Sequence, residues 1–284
     1  IGDKQISNDG NWVTIEISLQ DGDGRLELLK EGSNKNKVSF PRLTNASFSS
    51  NSEWLIGLIK PEKDSLRQLK LQKLKKDDFP KDSLFLLELK SGEKVKIPEI
   101  NGVKLPKEEK GWYAYHQTIS VELDSSANNK ESNEEKTFDL KVHEFGTERA
   151  YNFSEVLDYG FSDNGERLFV VRKELDSVAT TKSVTILDLE TGDTSKPIEN
   201  FTSYKFPVFS FKGDQFAILA SKTVLEEELK MYQLLIVDDQ GNLKVLKEVP
   251  NVPAHNISEH YSPSFSESGK YLVFGWQPLP KDYP

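Results

Sequence analysis

The chain has 284 residues, with 37 Lys and Arg against 46 Asp and Glu, a formal net charge of −9, and no cysteine. The acidic balance disfavours a nucleic-acid binder, and the missing cysteines exclude a disulfide scaffold, a thiolate nucleophile and thiolate metal sites. No apolar run approaches the roughly 20 residues of a membrane-spanning helix, while 36% apolar and 10% aromatic residues are enough for a core.

Ile1 opens the chain with no initiator Met and no signal-peptide pattern, as expected of a mature exported protein or an excised piece. Ile6-Ser7…Gly10 then reads as a tight turn ahead of the β run "NWVTIEI", and "LELLKEG" as a strand ending in a second turn at Gly32. This first unit spans about 1–41. The next, about 42–99, repeats it with Phe48-Ser49…Ser52 before "EWLIGLI" and with "LFLLELKSG" ending at Gly92. It carries a lysine-rich insertion over 60–83, where Leu66, Leu69 and Leu74 give a partial helical stripe that Pro80 is expected to end. A degenerate copy, "KLPKEEKGWYAYH", opens a third unit at about 100–150, with Trp112 standing where Trp12 and Trp54 stand. It holds the polar stretch 123–137, read as a flexible hairpin tip, and closes on "LKVHEFG". The fourth unit, about 151–200, has Phe161-Ser162…Gly165 and "VTILDLETG"; the fifth, about 201–252, has Phe209-Ser210…Gly213 and "LLIVDDQG". A sixth, 258–284, has Phe265-Ser266…Gly269 before "KYLVFGW" and breaks off, as expected of a piece of something longer.

The turn serines lie 42, 113, 48 and 56 residues apart, and the degenerate copy fills the doubled interval. Gly takes positive φ, and Asp, Asn and Ser bond their own backbone, so each Ser-x-x-Gly is a turn. A β-branched or aromatic run follows each one, which favours a strand. A second Gly turn makes a hairpin. One period is therefore four antiparallel strands, the size of a propeller blade. A blade buries both faces, so a strand such as "WLIGLI" is free to be apolar on both sides. The predicted fold is all-β: a β-propeller of four-stranded antiparallel blades, five of them and a truncated sixth.

The segments "QISNDGNWV", "FSSNSEWLIGLIKP", "KKDDFPKDSLFLLELKSGEK" and "FSDNGERLFVV…VTILDLETGD" together resemble the N-terminal β-propeller of bacterial prolyl-oligopeptidase-family serine peptidases, and the TolB-like repeats that those domains share. The resemblance covers essentially the whole chain. It implies a propeller that acts as a lid, limiting an α/β-hydrolase active site to short peptides. That hydrolase domain carries its nucleophile in a G-x-S-x-G elbow. This chain has no such motif, so no catalytic residue is carried over and the chain alone is expected not to be an enzyme. The implied partners are the absent hydrolase domain and the parent's peptide substrates; an exported, periplasmic location follows from the resemblance alone. The alternatives are a TolB-like binding or scaffold propeller of the cell envelope and a propeller glycosidase.

Other candidate chemistry is better explained by structure. His255 and His260 lie five apart in a loop, and His116 and His143 flank the 123–137 stretch, so a zinc site is not expected. "DGDG" at 21–24 offers Asp21, Asp23 and a following Glu27 but lacks the remaining ligands of a calcium loop. "SNDGNW" is shorter than the Asp-box of sialidases. The patch Lys60, Lys63, Arg67, Lys70, Lys73, Lys75, Lys76 and Lys81 is broken by Glu62, Asp64, Asp77 and Asp78, with no aromatic before Phe79. It is read as a solvated excursion, with a contact to the hydrolase domain or a second subunit as the other reading. The turn serines recur in nearly every unit, which marks a structural device. Catalytic, cofactor-binding and metal residues are all expected to be none, and no cofactor is expected. The tryptophans at 12, 54 and 112 are expected to be buried between blades. A truncated sixth unit would leave raw apolar faces near blade one and near 261–276, expected to be covered by self-association or another neighbour, with Trp276 among the covered residues.

Overall fold

The structure, a computed structural model, describes residues 2–32, 37–75, 78–108, 111–117, 135–175, 180–222, 231–246 and 255–279. Most of the polar stretch 123–137, along with Lys76 and Asp77, lies outside them. The described residues of 2–103, 111–117 and 140–152 form one compact unit, and those of 104–108, 135–139 and 153–279 a second.

In the first unit, β1 (Lys4–Ile6), β2 (Trp12–Ile17), β3 (Arg25–Lys30) and β4 (Lys37–Pro41) form one antiparallel sheet in sequence order. A second sheet repeats the pattern with β5 (Leu43–Phe48), β6 (Trp54–Ile59), β7 (Asp82–Glu88) and β8 (Lys94–Ile100). Between β6 and β7 the insertion folds into α1 (Lys63–Leu71), the one helix among the described residues. It ends at Leu71, well before Pro80: Lys73 takes φ +58° and breaks the helical path. Its leucine stripe anchors little, because Leu66 and Leu69 are half-buried and Leu71 and Leu74 are exposed. β9 (Gly102–Lys104), β10 (Trp112–Gln117) and β11 (Phe138–Glu144) follow, and β12 (Ala150–Phe161) begins in the first unit and continues into the second.

In the second unit the rest of β12 pairs with β13 (Arg167–Leu175), β13 with β14 (Thr180–Asp188), and β14 with β15 (Thr194–Phe201). The next sheet is β16 (Ser203–Phe209), β17 (Phe216–Ser221), β18 (Gln233–Val237) and β19 (Leu243–Leu246). Two two-stranded antiparallel sheets follow: β20 (His255–Ile257) with β23 (Trp276–Pro278), and β21 (Ser264–Phe265) with β22 (Leu272–Val273). This succession of antiparallel sheets, three of them four-stranded, is a β-propeller fold.

The core lies between sheets. Leu26, Leu28 and Phe40 of the first sheet pack on Leu43, Leu55 and Phe85 of the second. In the second unit, β17 is buried along its whole length because its two faces serve different neighbours. Phe216 and Ile218 face Phe169, Val184 and Ile186 of the preceding sheet. Ala217 and Leu219 face Ile257 and the partly buried Phe265 and Leu272 of the following one. Alternate residues of a strand point to opposite faces, so a strand between two sheets is apolar throughout. The fourth strands β4, β8, β15 and β19 are mostly exposed, which accounts for their polar sequences.

Candidate functional site: an aromatic cleft at the turn ends of three sheets

Four of the hairpin turns are built the same way. Ser162 Oγ donates to Asn164 Oδ1 at 2.7 Å and accepts from the Arg167 N–H at 3.0 Å, while the Gly165 N–H bonds the Ser162 carbonyl. Ser210 does the same with Asp214 and the Gln215 N–H. Ser7 and Ser49 use Asp9 and Asn51, and bond the backbone N–H of Trp12 and Trp54. Ser7, Ser49, Ser162 and Ser210 are buried, and their hydroxyls lock turns. In the second sheet Ser52 replaces the turn glycine at φ +58°, and its hydroxyl accepts from the Asp9 N–H of the neighbouring turn. Adjacent turns are thus stapled, and in the second unit Asn164 Nδ2 reaches the Lys212 carbonyl at 2.6 Å and Gln215 Nε2 the Gly269 carbonyl at 3.1 Å.

In the second unit this repetition places one aromatic residue at the same point three times. Phe161, Phe209 and Phe265 each end a first strand and precede the turn serine. With Phe169, Phe211 and Val208 they line a cleft of about 440 Å³. Phe169 and Phe209 pack with ring centroids 5.8 Å apart, and Phe211 leaves 43% of its surface in solvent. At the rim, Lys107 pairs with Asp163 at 2.7 Å and Glu267 is exposed. Apolar walls with a few polar groups at the edge suit an apolar side chain or a short extended peptide rather than a highly charged ligand.

The tryptophan positions also have a common role. Trp12, Trp54 and Trp112 begin β2, β6 and β10, the second strands of their sheets. Trp112 is buried against Tyr151, whereas Trp12 and Trp54 are half-buried; Trp54 stacks on Phe145 at 5.9 Å. The same turn register holds Arg167 and Gln215 in the second unit. Arg167 spans to the Asp214 carbonyl at 3.3 Å. A cleft of about 280 Å³ opens beside it, floored by Ile186, Phe216 and Val237 and rimmed by Asp188, Asp193 and Asp238. Asp238 accepts backbone hydrogen bonds from Asn242 and Gln240, which hold its carboxyl below the usual carboxylate range. Asp188 likewise binds the N–H groups of Glu190 and Thr191, so these acids shape turns.

The histidines do not converge. His143 packs against Tyr113 and Tyr115, 5.6 Å from each ring, on the face opposite His116, because residues 115 and 116 point to opposite sides of β10. Burial, then the nearby Lys141 charge, push the His143 imidazole pKa down, and its buried Nε2 makes no hydrogen bond. Burial raises the Tyr113 phenol to about 12. His255 packs edge-on to Trp276 at 4.7 Å. Among the described residues no three His, Asp or Glu are grouped so as to hold a metal ion. Asp21 accepts from the Gly22 N–H, and Asp23 from the Lys63 N–H at 3.0 Å, so "DGDG" tethers the first turn of α1. Glu27 pairs with Arg25 and Lys37. Of the insertion's cations, Lys63, Arg67 and Lys70 stand on α1, none of whose residues is buried, and Lys60 pairs with Asp82 at 2.6 Å.

No family model matches the chain, and no curated protein matches it. Solved structures are similar to it at low identity. The β-propeller domain of the Trilobed protease from Pyrococcus furiosus has 10% identity and a TM-score of 0.46, over 94% of this chain and 75% of that one. Pyrococcus horikoshii acylaminoacyl peptidase has 11% identity and a TM-score of 0.46, over 96% of this chain and 42% of that one. TolB from Acinetobacter baumannii has 11% identity and a TM-score of 0.39, over 93% of this chain and 57% of that one. This chain spans less than half of the acylaminoacyl peptidase.

Proposed function

We propose that this chain is the non-catalytic propeller portion of a prolyl-oligopeptidase-like serine peptidase of an exported, periplasmic type, gating and shaping peptide access to an α/β-hydrolase site carried elsewhere. The observation that carries the reading is the phenylalanine-lined cleft at the turn ends of three successive sheets. Its walls would grip an apolar peptide side chain while its size excludes a folded domain. Further support comes from the turn serines: a hydroxyl committed to two turn hydrogen bonds within a buried turn is not a free nucleophile. The coding sequence beyond residue 284 tests the reading. A G-x-S-x-G elbow followed by Asp and His within about 250 residues is expected. A stop codon after one or two more blades overturns it in favour of a TolB-like binding module.

A further inference from the structure

In the first unit the wedge between the second sheet and the turn after β11 is closed by two rings. Trp54 opens β6 and stacks on Phe145 at 5.9 Å, and its ring comes within 3.6 Å of where a Cβ on Gly146 would lie. In the second unit Arg167 opens β13 at the same register, and the facing turn, residues 238–241, holds no aromatic residue. Neither ring is replaced, and the cleft of about 280 Å³ remains. Its floor is the core itself: Ile186, Phe216 and Val237 are buried between the two sheets.

The rim is anionic. Five aspartates line the cleft, and Arg167 is the one cation among its lining residues. Asp188 Oδ1 accepts the Glu190 and Thr191 N–H groups, and Asp214 Oδ1 accepts the Ser210 hydroxyl. The Oδ2 atoms of both are left without a hydrogen bond among the described residues. Asp193 and Asp239 are exposed, and their carboxylates make none among the described residues. Asp238 alone of the five has an ion pair among the described residues, with Lys244 at 4.0 Å. The Arg167 guanidinium is held by the Asp214 carbonyl at 3.3 Å. Among the described residues no three acids are grouped so as to hold a metal ion. The negative charge is spread around the mouth of an apolar volume, which rejects an anion and suits an extended organic cation better than a point charge.

The geometry points to a second binding site here, for a planar cation on an apolar stem: an arginine side chain presented by a peptide. The stem and the flat face of the cation lie on Ile186, Phe216 and Val237, in the volume that Trp54 fills in the earlier wedge. The guanidinium N–H groups reach the carboxylate oxygens that the turns leave unused. Of the residues lining this cleft only Phe209 also lines the phenylalanine-lined one, so the two sites select different side chains.

Amide NMR of the whole chain, titrated with benzamidine and with acetyl-Gly-Arg-Gly-amide, tests the site. Benzamide is the neutral isostere and benzoate the anion. Both cations are expected to shift the Thr194, Ser195, Gln240 and Gly241 N–H signals, and benzamide and benzoate to bind at least about tenfold more weakly. The double variant Asp193→Asn, Asp239→Asn changes two exposed carboxylates that support no turn, and is expected to weaken benzamidine by about threefold or more with the rest of the spectrum unchanged. Raising salt from about 50 to about 500 mM is expected to weaken benzamidine and not benzamide. Arg167→Trp fills the wedge and is expected to abolish binding of both cations; where that variant fails to fold, the Asn pair decides. Equal affinity for benzamidine and benzamide, shifts that lie outside the cleft, no shift with either cation, or an affinity that the Asn pair leaves unchanged overturns the inference.

Discussion

Asn164 Nδ2 donates to the carbonyl of Lys212, 48 residues later, at 2.6 Å. The residue that accepts from its own sheet's turn serine thus also fastens the next sheet's turn. Local turn chemistry and long-range assembly share one side chain.

Ser162 is the anchor of that arrangement. Ser162→Ala removes the acceptor for the Arg167 N–H and the donor to Asn164 in a buried turn, and is expected to cost about 1–2 kcal/mol. Urea denaturation reads it. Ser266→Ala, in a more exposed copy of the turn whose hydroxyl meets only Ser268 and the Tyr271 N–H, is expected to cost less. Equal costs would mean that burial of the turn serine is immaterial.

Trp54 fills the wedge between two sheets by stacking on Phe145, and Trp54→Ala is expected to destabilise the chain by about 3 kcal/mol. Arg167 occupies the corresponding register beside an open cleft. Arg167→Trp restores the residue that three earlier copies use, and is expected to stabilise by about 0.5–1 kcal/mol. A loss of stability there would show that the Arg167 to Asp214 carbonyl bond outweighs the filled volume.

Most of the architecture was legible in the sequence because it repeats. The Ser-x-x-Gly turns and the tryptophans at 12, 54 and 112 announced second strands that the structure places in matching positions. The aromatic cleft was hidden in the same signal. Phe161, Phe209 and Phe265 were visible as part of the repeat, but nothing in a linear sequence says that three turn ends converge. The end of α1 was misplaced because proline was taken as the stop. The break comes at Lys73, whose positive φ no residue type announces. The role of Asp23 was also out of reach, since it caps a helix 40 residues away.

His143 gives the chain a pH dependence of definite sign. Its folded-state pKa lies below the unfolded 6.5, so below that value the unfolded chain binds the extra proton first. Stability is full above pH 6.5 and falls as pH drops from there toward the folded pKa, then levels off with respect to this group. Melting temperatures at pH 8, 6.5 and 5 are expected to fall in that order, with His143→Phe flattening the part of the slope that this residue causes. An unchanged slope in His143→Phe would assign it to the carboxylates. On the alkaline side the raised Tyr113 phenol, at about 12, predicts stability lost between about pH 10 and 12, as the unfolded phenol ionises first.

The purified chain is expected to hydrolyse no proline-containing peptide and to take up no serine-directed fluorophosphonate probe. Labelling of Ser7, Ser49, Ser162 or Ser210 would contradict their burial in locked turns.

The most direct measurement of the central claim is photo-crosslinking. A short phenylalanine-containing peptide bearing a benzophenone is irradiated with the chain, and the adducts are mapped by mass spectrometry. Adducts confined to the cleft, at Val208, Phe211, Phe265 or Glu267, and lost in Phe211→Asp, are the predicted result. Adducts at the aspartate-rimmed cleft beside Arg167 instead, or none at any peptide concentration, would contradict a peptide-gating role for this aromatic cleft.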